Sequence, residues 1–562
     1  MGWLALILGV ASLLLGCEAP HAAGPRAAGP TTLVLIHTAD LHSHLFPERQ
    51  LIGSIDAARG LGPSGELAEV GGFARIARVV GEIRAGARHS LLLDSGDLVE
   101  GTAAFSEFGG EPELRALSAL GLGAAALGNH DLSSGAEAFA QQHRRFAEFP
   151  VLASNIADNG SELASALTPS VVLDAQGVRV GVIGVANPSS PSGLARADNP
   201  YGIELLPLAR AVQAEIERLR PEVDVLVALS HLGLDGDQRL INDTTGLDVV
   251  LGGHQHLAFD AALERSDCGP ALQSERDCQP RSVILVHSGA LGRYVGELDL
   301  QLLPAAVAAR AESASVASNA WSVASAQYSL IPISADVADD PALAELLEPY
   351  RERLEDAGFD TPVAFALGSV ERYASNGTDS ALGDLVTDAL RVESGADFAL
   401  INATGIRADL APGELTRAAF AAALPFDDEL TELTLSGTQL RALFNQQARV
   451  ASERECQTPI QVSGLEVTLK CSGAASNASV QTSSGAELVA DTRYTLVTSA
   501  YLADGGSGFE LLTKASQRRT LGSGPLQVVL ASLAARPSCP QATLPCLDPS
   551  RIRDHRIVIQ EP

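Results

Sequence analysis

Short apolar runs alternate with longer amphipathic stretches along most of this chain, and that alternation predicts a layered α/β protein. Residues 33–36, 91–93, 124–127, 223–229 and 247–251 read as short buried strands. Residues 73–84, 113–120 and 208–219 carry helical periodicity, and 171–185 reads as a hairpin turning near Gln176-Gly177. Residues 288–303 read as closing strands of a first domain over 31–303. A linker over 304–360 follows, with an irregular Ala/Ser-rich stretch at 305–326 and a helix at 341–354. A second α/β domain runs over 361–530, and a tail over 531–562 ends in the β-like Arg556-Ile557-Val558-Ile559. No internal repeat is visible.

Each of the five strand-like runs ends just before chemistry-bearing residues. These are Asp40-Leu41-His42, Gly96-Asp97, Gly128-Asn129-His130-Asp131, Ser230-His231 and Gly252-Gly253-His254-Gln255-His256. In α/β sheets ligands bind beyond the carboxyl ends of strands, so position and residue type agree. Taken singly, each segment has a plain explanation. Gly96-Asp97 suits a turn, and Asn129-His130-Asp131 suits a helix N-cap. Together they supply carboxylate, imidazole and amide ligands for two metal ions. Asp97 is the candidate bridge, because its two oxygens can each face one ion. Asp40 and His42 can face one ion, and His254 and His256 repeat that geometry. Asn129 offers a neutral amide oxygen, and His231 completes the second ion. Two ions a few ångströms apart can clamp the attacking and leaving oxygens of an in-line displacement, which implies hydrolysis of a phosphate ester or anhydride. His44 and His287 are candidates to line or support the site. His37 reads as packed, and His89 and His143 as surface residues.

Composition narrows the partners. The chain has 562 residues and a net charge of -29, which argues against a nucleic-acid polymer. Hydrophobic residues make up 46% but aromatics only 4%, so the core is built mostly from Ala, Leu and Val. The N-terminal run 3–15 is apolar and short, the length of an export signal rather than of a spanning helix. Leu14-Leu15-Gly16-Cys17 resembles a bacterial lipoprotein processing site. This predicts a signal peptide over 1–17, a lipid-anchored Cys17 and an Ala/Gly/Pro-rich tether over 18–30; a plain secretory signal is the alternative. Either way the protein is expected to be exported to the cell envelope or periplasm. The other six cysteines fall as close pairs, Cys268 with Cys278, Cys456 with Cys471 and Cys539 with Cys546, which suggests three disulfides in an oxidising compartment.

The five segments resemble the calcineurin-like metallophosphatase signature. Their order and spacing are similar to the 5'-nucleotidase family within it, over about 31–303 and 363–530. The resemblance implies a two-domain α/β protein: an N-terminal α/β sandwich with a dinuclear metal site and a C-terminal substrate-binding domain. It assigns one ion to Asp40, His42, Asp97 and His256, and the other to Asp97, Asn129, His231 and His254. The ions would be zinc, manganese or iron. The residue matching His130 is not a ligand; it stabilises the transition state or protonates the leaving oxygen while a metal-bridged hydroxide attacks phosphorus. The family carries an orienting acid three residues after this histidine. Here that residue is Ser133, and Asp131 follows His130 directly, so Asp131 joins His130 in the expected catalytic set.

In the second domain Asn402-Ala403-Thr404-Gly405-Ile406-Arg407 resembles a family segment in which the arginine binds phosphate and the asparagine contacts base or sugar. Phe426 and Tyr501 match two aromatics that stack on a base. After Gly505-Gly506 the family carries an Asp for the ribose hydroxyls, where this chain has Ser507. Arg372 is a candidate second phosphate arginine. The implied activity is phosphate release from nucleotides or similar small organic phosphates. The same architecture also serves a sulfur-oxidation thiohydrolase and cyclic nucleotide phosphodiesterases. A non-catalytic surface binding protein is the reading from another class.

Overall fold

The computed structural model describes residues 29–157, 159–187, 203–304, 321–374, 377–426, 428–454, 456–553 and 555–560. The expected signal peptide, Cys17 and nearly all of the 18–30 tether lie outside the described residues.

Two sheets pack face to face in the first half of the chain. The strands that carry the site are β1 (Thr31–Thr38), β2 (His89–Asp94), β3 (Ala124–Ala126), β4 (Val225–Ser230) and β5 (Val249–Gly252). β1, β2 and β3 are parallel neighbours in a seven-stranded sheet. β4 and β5 are parallel neighbours in a six-stranded sheet, flanked by parallel strands Val178–Val185 and Ser282–His287. Leu33 and Leu35 of β1 face the second sheet among Val180, Val227 and Leu229. The alternate residues Val34 and Ile36 face outward onto Phe73, Ile76 and Leu117 of covering helices. The second sheet is covered by helix Leu208–Leu219 through Val212 and Ile216. Strands buried on both faces read as continuous apolar runs, which is why these were visible in the sequence.

Two stretches depart from expectation. Residues 288–303 form one closing strand, Tyr294–Pro304, rather than several. Of the stretch expected to be irregular, 305–320 lies outside the described residues, and 321–326 opens strand Trp321–Pro332, antiparallel to Tyr294–Pro304 at the edge of the seven-stranded sheet. Helix Pro341–Asp356 starts at the Asp340 side chain, which caps Ala342 and Leu343, and buries Leu343 and Leu347 in the first domain. The expected linker is thus partly built into that domain.

The second domain centres on a five-stranded mixed sheet in the order Ile460–Ser463, Phe398–Asn402, Arg493–Ser499, Leu430–Ser436, Gln517–Thr520. Helices Ala381–Ser394 and Gly437–Glu453 each anchor a separate core against it. The expected tail is paired into this domain. Cys546–Leu547 runs parallel to Pro362–Ala366, and Ile557–Gln560 parallel to Leu465–Lys470. The two domains meet at a small apolar contact of Ala103, Phe359 and Ala421. Cys268 and Cys278 lie at disulfide distance with Cα atoms 6.2 Å apart, as do Cys539 and Cys546 at 4.5 Å. The expected Cys456–Cys471 bond is not formed, although both residues belong to the core around helix Gly437–Glu453. Among the described residues no helix is long and apolar enough to cross a membrane.

Candidate active site

The loops after the five strands converge at one edge of the sandwich. Their backbones are bent to do so. Asp40, His42, Ser43, Asp97, Glu100, His254 and His256 all take positive φ, between 49° and 77°. Non-glycine residues rarely adopt this left-handed region, and such departures cluster at functional sites. Two glycines make room for the crowding. A Cβ on Gly128 would sit 2.1 Å from the Asp97 nitrogen and 2.2 Å from its Oδ1. A Cβ on Gly252 would sit 2.3 Å from Nε2 of His287.

All seven expected ligand residues come together. Asp40, His42 and His256 form one group and Asp97, His231 and His254 another, each with its donor atoms within 4.8 Å of one another. Oδ2 of Asp97 lies 3.0 Å from Nε2 of His231 and 3.6 Å from Nε2 of His42, so it stands between the two groups. Oδ1 of Asn129 lies 3.2 Å from Nε2 of His231 and 3.0 Å from Nδ1 of His254. The second nitrogen of His42 bonds the Glu100 carbonyl and that of His231 the Ser95 carbonyl, each at 2.7 Å. Such bonds fix the tautomer and leave Nε2 to face a cation. Carboxylate, imidazole and amide donors in two adjoining groups fit a pair of divalent ions.

The electrostatics agree. Burial opposes the charge on Asp97, but His231, His130 and His42 outweigh it and hold the carboxyl well below its usual range. Burial drives His42 and His256 well below the ordinary imidazole value, and His254 down to about 4. These rings are neutral at pH 7, with lone pairs to offer. Burial works against a proton on His231 too, yet the Asp97 carboxylate raises it to about 10. Burial and the neighbouring Asp97 lift Asp40 to about 7.

His130 stands apart from the ligands. Its backbone N–H donates to Oδ1 of Asp97 at 2.7 Å. Its Nδ1 bonds Oε2 of Glu100, and the Ser133 hydroxyl donates to the same oxygen. Glu100 escaped the sequence reading; the serine at position 133 was the signal that an acid should be sought elsewhere. Burial resists protonation of His130, but Asp97 and Glu100 hold its pKa above the ordinary value. Asp131, expected to be catalytic, is turned away. Its carboxylate accepts from the backbone N–H groups of Leu98 and Gly128 at 2.8 Å each, and so clamps the Asp97 loop. His44 pairs with Glu48 at 3.0 Å, and His287 bonds Asp237 behind Gly252 at 2.9 Å. His37 is buried between Ser288 and Ser95. His89 is buried as well, contrary to the surface expectation, because its Nδ1 donates to the Ala175 carbonyl at 2.8 Å. His143 is half-buried and bonds the Phe149 carbonyl.

Two of the second-domain residues reach this site. Phe426 stacks on His130, and the half-buried Arg407 acts electrostatically on Asp97, Glu100 and Asp40. Arg372 holds the Arg407 carbonyl through its guanidinium and stacks on Tyr373. Asn402 and Tyr501 converge on Ser507. The Asn402 amide donates to its hydroxyl at 3.4 Å, and the Tyr501 hydroxyl accepts from its backbone N–H at 3.0 Å.

Comparison with known proteins matches this geometry. The calcineurin-like phosphoesterase family model covers residues 33–258, and that of the 5'-nucleotidase C-terminal domain covers residues 361–514. A 5'-nucleotidase of Diplobatis ommata is 26% identical over 537 residues, spanning 89% of this chain and 87% of its own. The crystal structure of a 5'-nucleotidase precursor from Thermus thermophilus superposes with a TM-score of 0.78 at 25% identity, covering 94% of this chain and all of that one. A sulfate thiohydrolase from Thermus thermophilus shares the fold, with a TM-score of 0.70 at 17% identity over 96% of this chain and 98% of its own. The chain therefore joins a calcineurin-like phosphoesterase domain to a 5'-nucleotidase C-terminal domain, and is a metal-dependent phosphoric ester hydrolase.

Proposed function

We propose that the protein is an exported 5'-nucleotidase-like enzyme that releases phosphate from small nucleotides. The observation that carries this reading is the stacking of Phe426, from the second domain, on His130 of the first, with Arg407 of the second domain near enough to act on the carboxylates of the site. An aromatic ring for a base and a guanidinium for a phosphate then stand beside one hydrolytic centre. Asp40, His42, Asp97 and His256 would hold one divalent ion, and Asp97, Asn129, His231 and His254 the other. Zinc, manganese and iron all suit these donors. When bound, the ions would acidify water and polarise the phosphoryl group. The chain's own residues do the rest. Arg407 offers paired N–H donors to phosphate oxygens. His130 offers a ring N–H where negative charge grows on the phosphoryl or leaving oxygen. Asn402 and Tyr501 stand ready for the nucleoside. Export with a lipid anchor at Cys17 accords with the N-terminal sequence, and disulfides at Cys268–Cys278 and Cys539–Cys546 accord with an oxidising compartment.

The test is phosphate release from AMP, nucleotide diphosphate sugars, cyclic nucleotides and simple esters. The protein would lack residues 1–17 and be supplied with manganese or zinc, with Asp97→Ala as control. Preference for a 5'-nucleotide is the expected result. Release from an aryl phosphate alone would leave the hydrolase and remove the nucleotide assignment. Silence across the panel with metals bound would remove both.

A further inference from the structure

Glu100 is held by, and holds, two different imidazoles. Its backbone carbonyl accepts from Nδ1 of His42 at 2.7 Å, and its Oε2 bonds Nδ1 of His130. The same Oε2 accepts the Ser133 hydroxyl, so two side chains from one short segment converge on one carboxylate oxygen. The residue is buried, 7% exposed, and sits at φ 66°, in the left-handed region. That bend lets the carbonyl and the carboxylate of one residue serve the two rings, whose centroids are 5.1 Å apart. Gly101 follows directly, and a Cβ there would lie 2.6 Å from the His42 carbonyl, so the loop is pressed against the His42 loop.

We propose that Glu100 is the positioning residue for His130: its carboxylate fixes the proton on Nδ1 and leaves Nε2 as the nitrogen that meets substrate, with Ser133 locking the carboxylate. This rests on reading the site as a phosphohydrolase. A carboxylate beside an imidazole sets both tautomer and ring orientation. Asp131, the acid adjacent in sequence, is occupied with backbone N–H groups and does not serve this purpose.

Substitution separates the two tasks of Glu100. Glu100→Gln keeps the backbone carbonyl that orients His42 and removes only the carboxylate charge. With zinc-loaded protein and AMP as the probe, kcat is expected to fall roughly 10–100-fold, the usual cost of losing such a partner, with KM and metal content unchanged. Because Ser133 already touches the critical oxygen, the double variant Glu100→Ala/Ser133→Asp brings a carboxylate back to the same place. It is expected to regain most of the kcat that Glu100→Ala loses. A purely structural role for Glu100 would not be rescued by an acid on another loop. Undiminished kcat in Glu100→Gln, or a double variant no faster than Glu100→Ala at equal metal content, overturns the proposal.

A second readout needs no turnover. The 15N signals of the His130 ring, assigned by their loss in His130→Asn, are expected to report a proton held on Nδ1 in the parent protein. Glu100→Gln is expected to change that signature. An identical signature in both overturns the proposal even if the parent releases phosphate from no ester, a result that would instead defeat the nucleotidase reading. The same spectra decide the matter if Glu100→Ala fails to fold.

Discussion

The Phe426 ring lies 5.8 Å from the His130 ring, centroid to centroid, with the planes 26° apart. One ring comes from each domain, so this stack exists only while the domains are closed on each other. It covers one face of His130 with an aromatic surface beside the metal ligands.

That surface is suited to a nucleobase. Base–aromatic stacking is worth roughly 1–3 kcal/mol, so Phe426→Ala should raise KM for AMP by about 5-fold to 160-fold. Glycerol phosphate, which has no base, should be nearly unaffected. Steady-state kinetics with the two substrates checks this. An equal effect on both would mean that Phe426 only packs the domain interface.

Metal uptake should release protons. Asp97 raises the pKa of His231 to about 10 against the cost of burial, so the metal-free ring is charged at pH 7. A cation needs the ring neutral, and must displace that proton. Affinity should therefore strengthen as pH rises towards 10. Zinc titration of the metal-free protein, in two buffers of different ionisation enthalpy, measures the protons released. Release that is absent in the parent, or unchanged in His231→Ala, would take His231 out of the ligand set.

Much of this site was legible because it is built on buried strands. β1 to β5 show as apolar runs, and a ligand follows each within a few residues. Helix Leu208–Leu219 has the predicted bounds, and the expected hairpin turns at Gln176 and Gly177, both with positive φ. Glu100 was not legible. Its role depends on a left-handed backbone and on a partner 30 residues away, and neither leaves a periodic mark. The misread of Asp131 has the same origin, since adjacency to His130 says nothing about where the carboxylate points. Strand Trp321–Pro332 was missed because an edge strand pairs on one side and tolerates Ser, Ala and Gln. His89 read as a surface residue, yet it begins β2 and is buried.

Ser507 bears on sugar selectivity. Its hydroxyl lies within 3.4 Å of the Asn402 amide and 3.2 Å of the Tyr501 hydroxyl, at φ 52°. A serine offers one uncharged oxygen, here already accepting from the Asn402 amide, where a carboxylate offers two charged oxygens to the two ribose hydroxyls. The parent protein should discriminate little between AMP and dAMP. Ser507→Asp, at a backbone conformation that aspartate tolerates, should favour AMP by roughly tenfold or more, the worth of a charge-assisted hydrogen bond. The ratio of kcat/KM for the two substrates checks this. A parent enzyme already strongly selective for AMP would assign ribose recognition to Asn402 or to another group.

Glu113 should make the fold sensitive to pH. It lies in the first turn of helix Glu111–Ala119, fully buried, with neither carboxylate oxygen hydrogen-bonded. The Ser43 hydroxyl beside it opposes the effect of burial without cancelling it. Burial lifts its pKa from 4.5 to about 7. Between those values the folded protein holds a proton that the unfolded chain has lost, so stability falls as pH rises. The contribution is complete below 4.5 and gone once pH has passed 7. The swing is about 3 kcal/mol on the linkage relation. Glu113→Gln cannot ionise, so its stability relative to the parent should improve steadily from pH 4.5 to pH 8. Its buried amide still lacks partners, which makes the variant less stable than the parent at the acid end. Urea melts of both proteins at pH 4.5, 6, 7 and 8, with the same metal present, give the difference directly. A difference that stays constant across that range would mean that Glu113 is already ionised in the folded protein or has found a partner, and that burial alone does not set its charge.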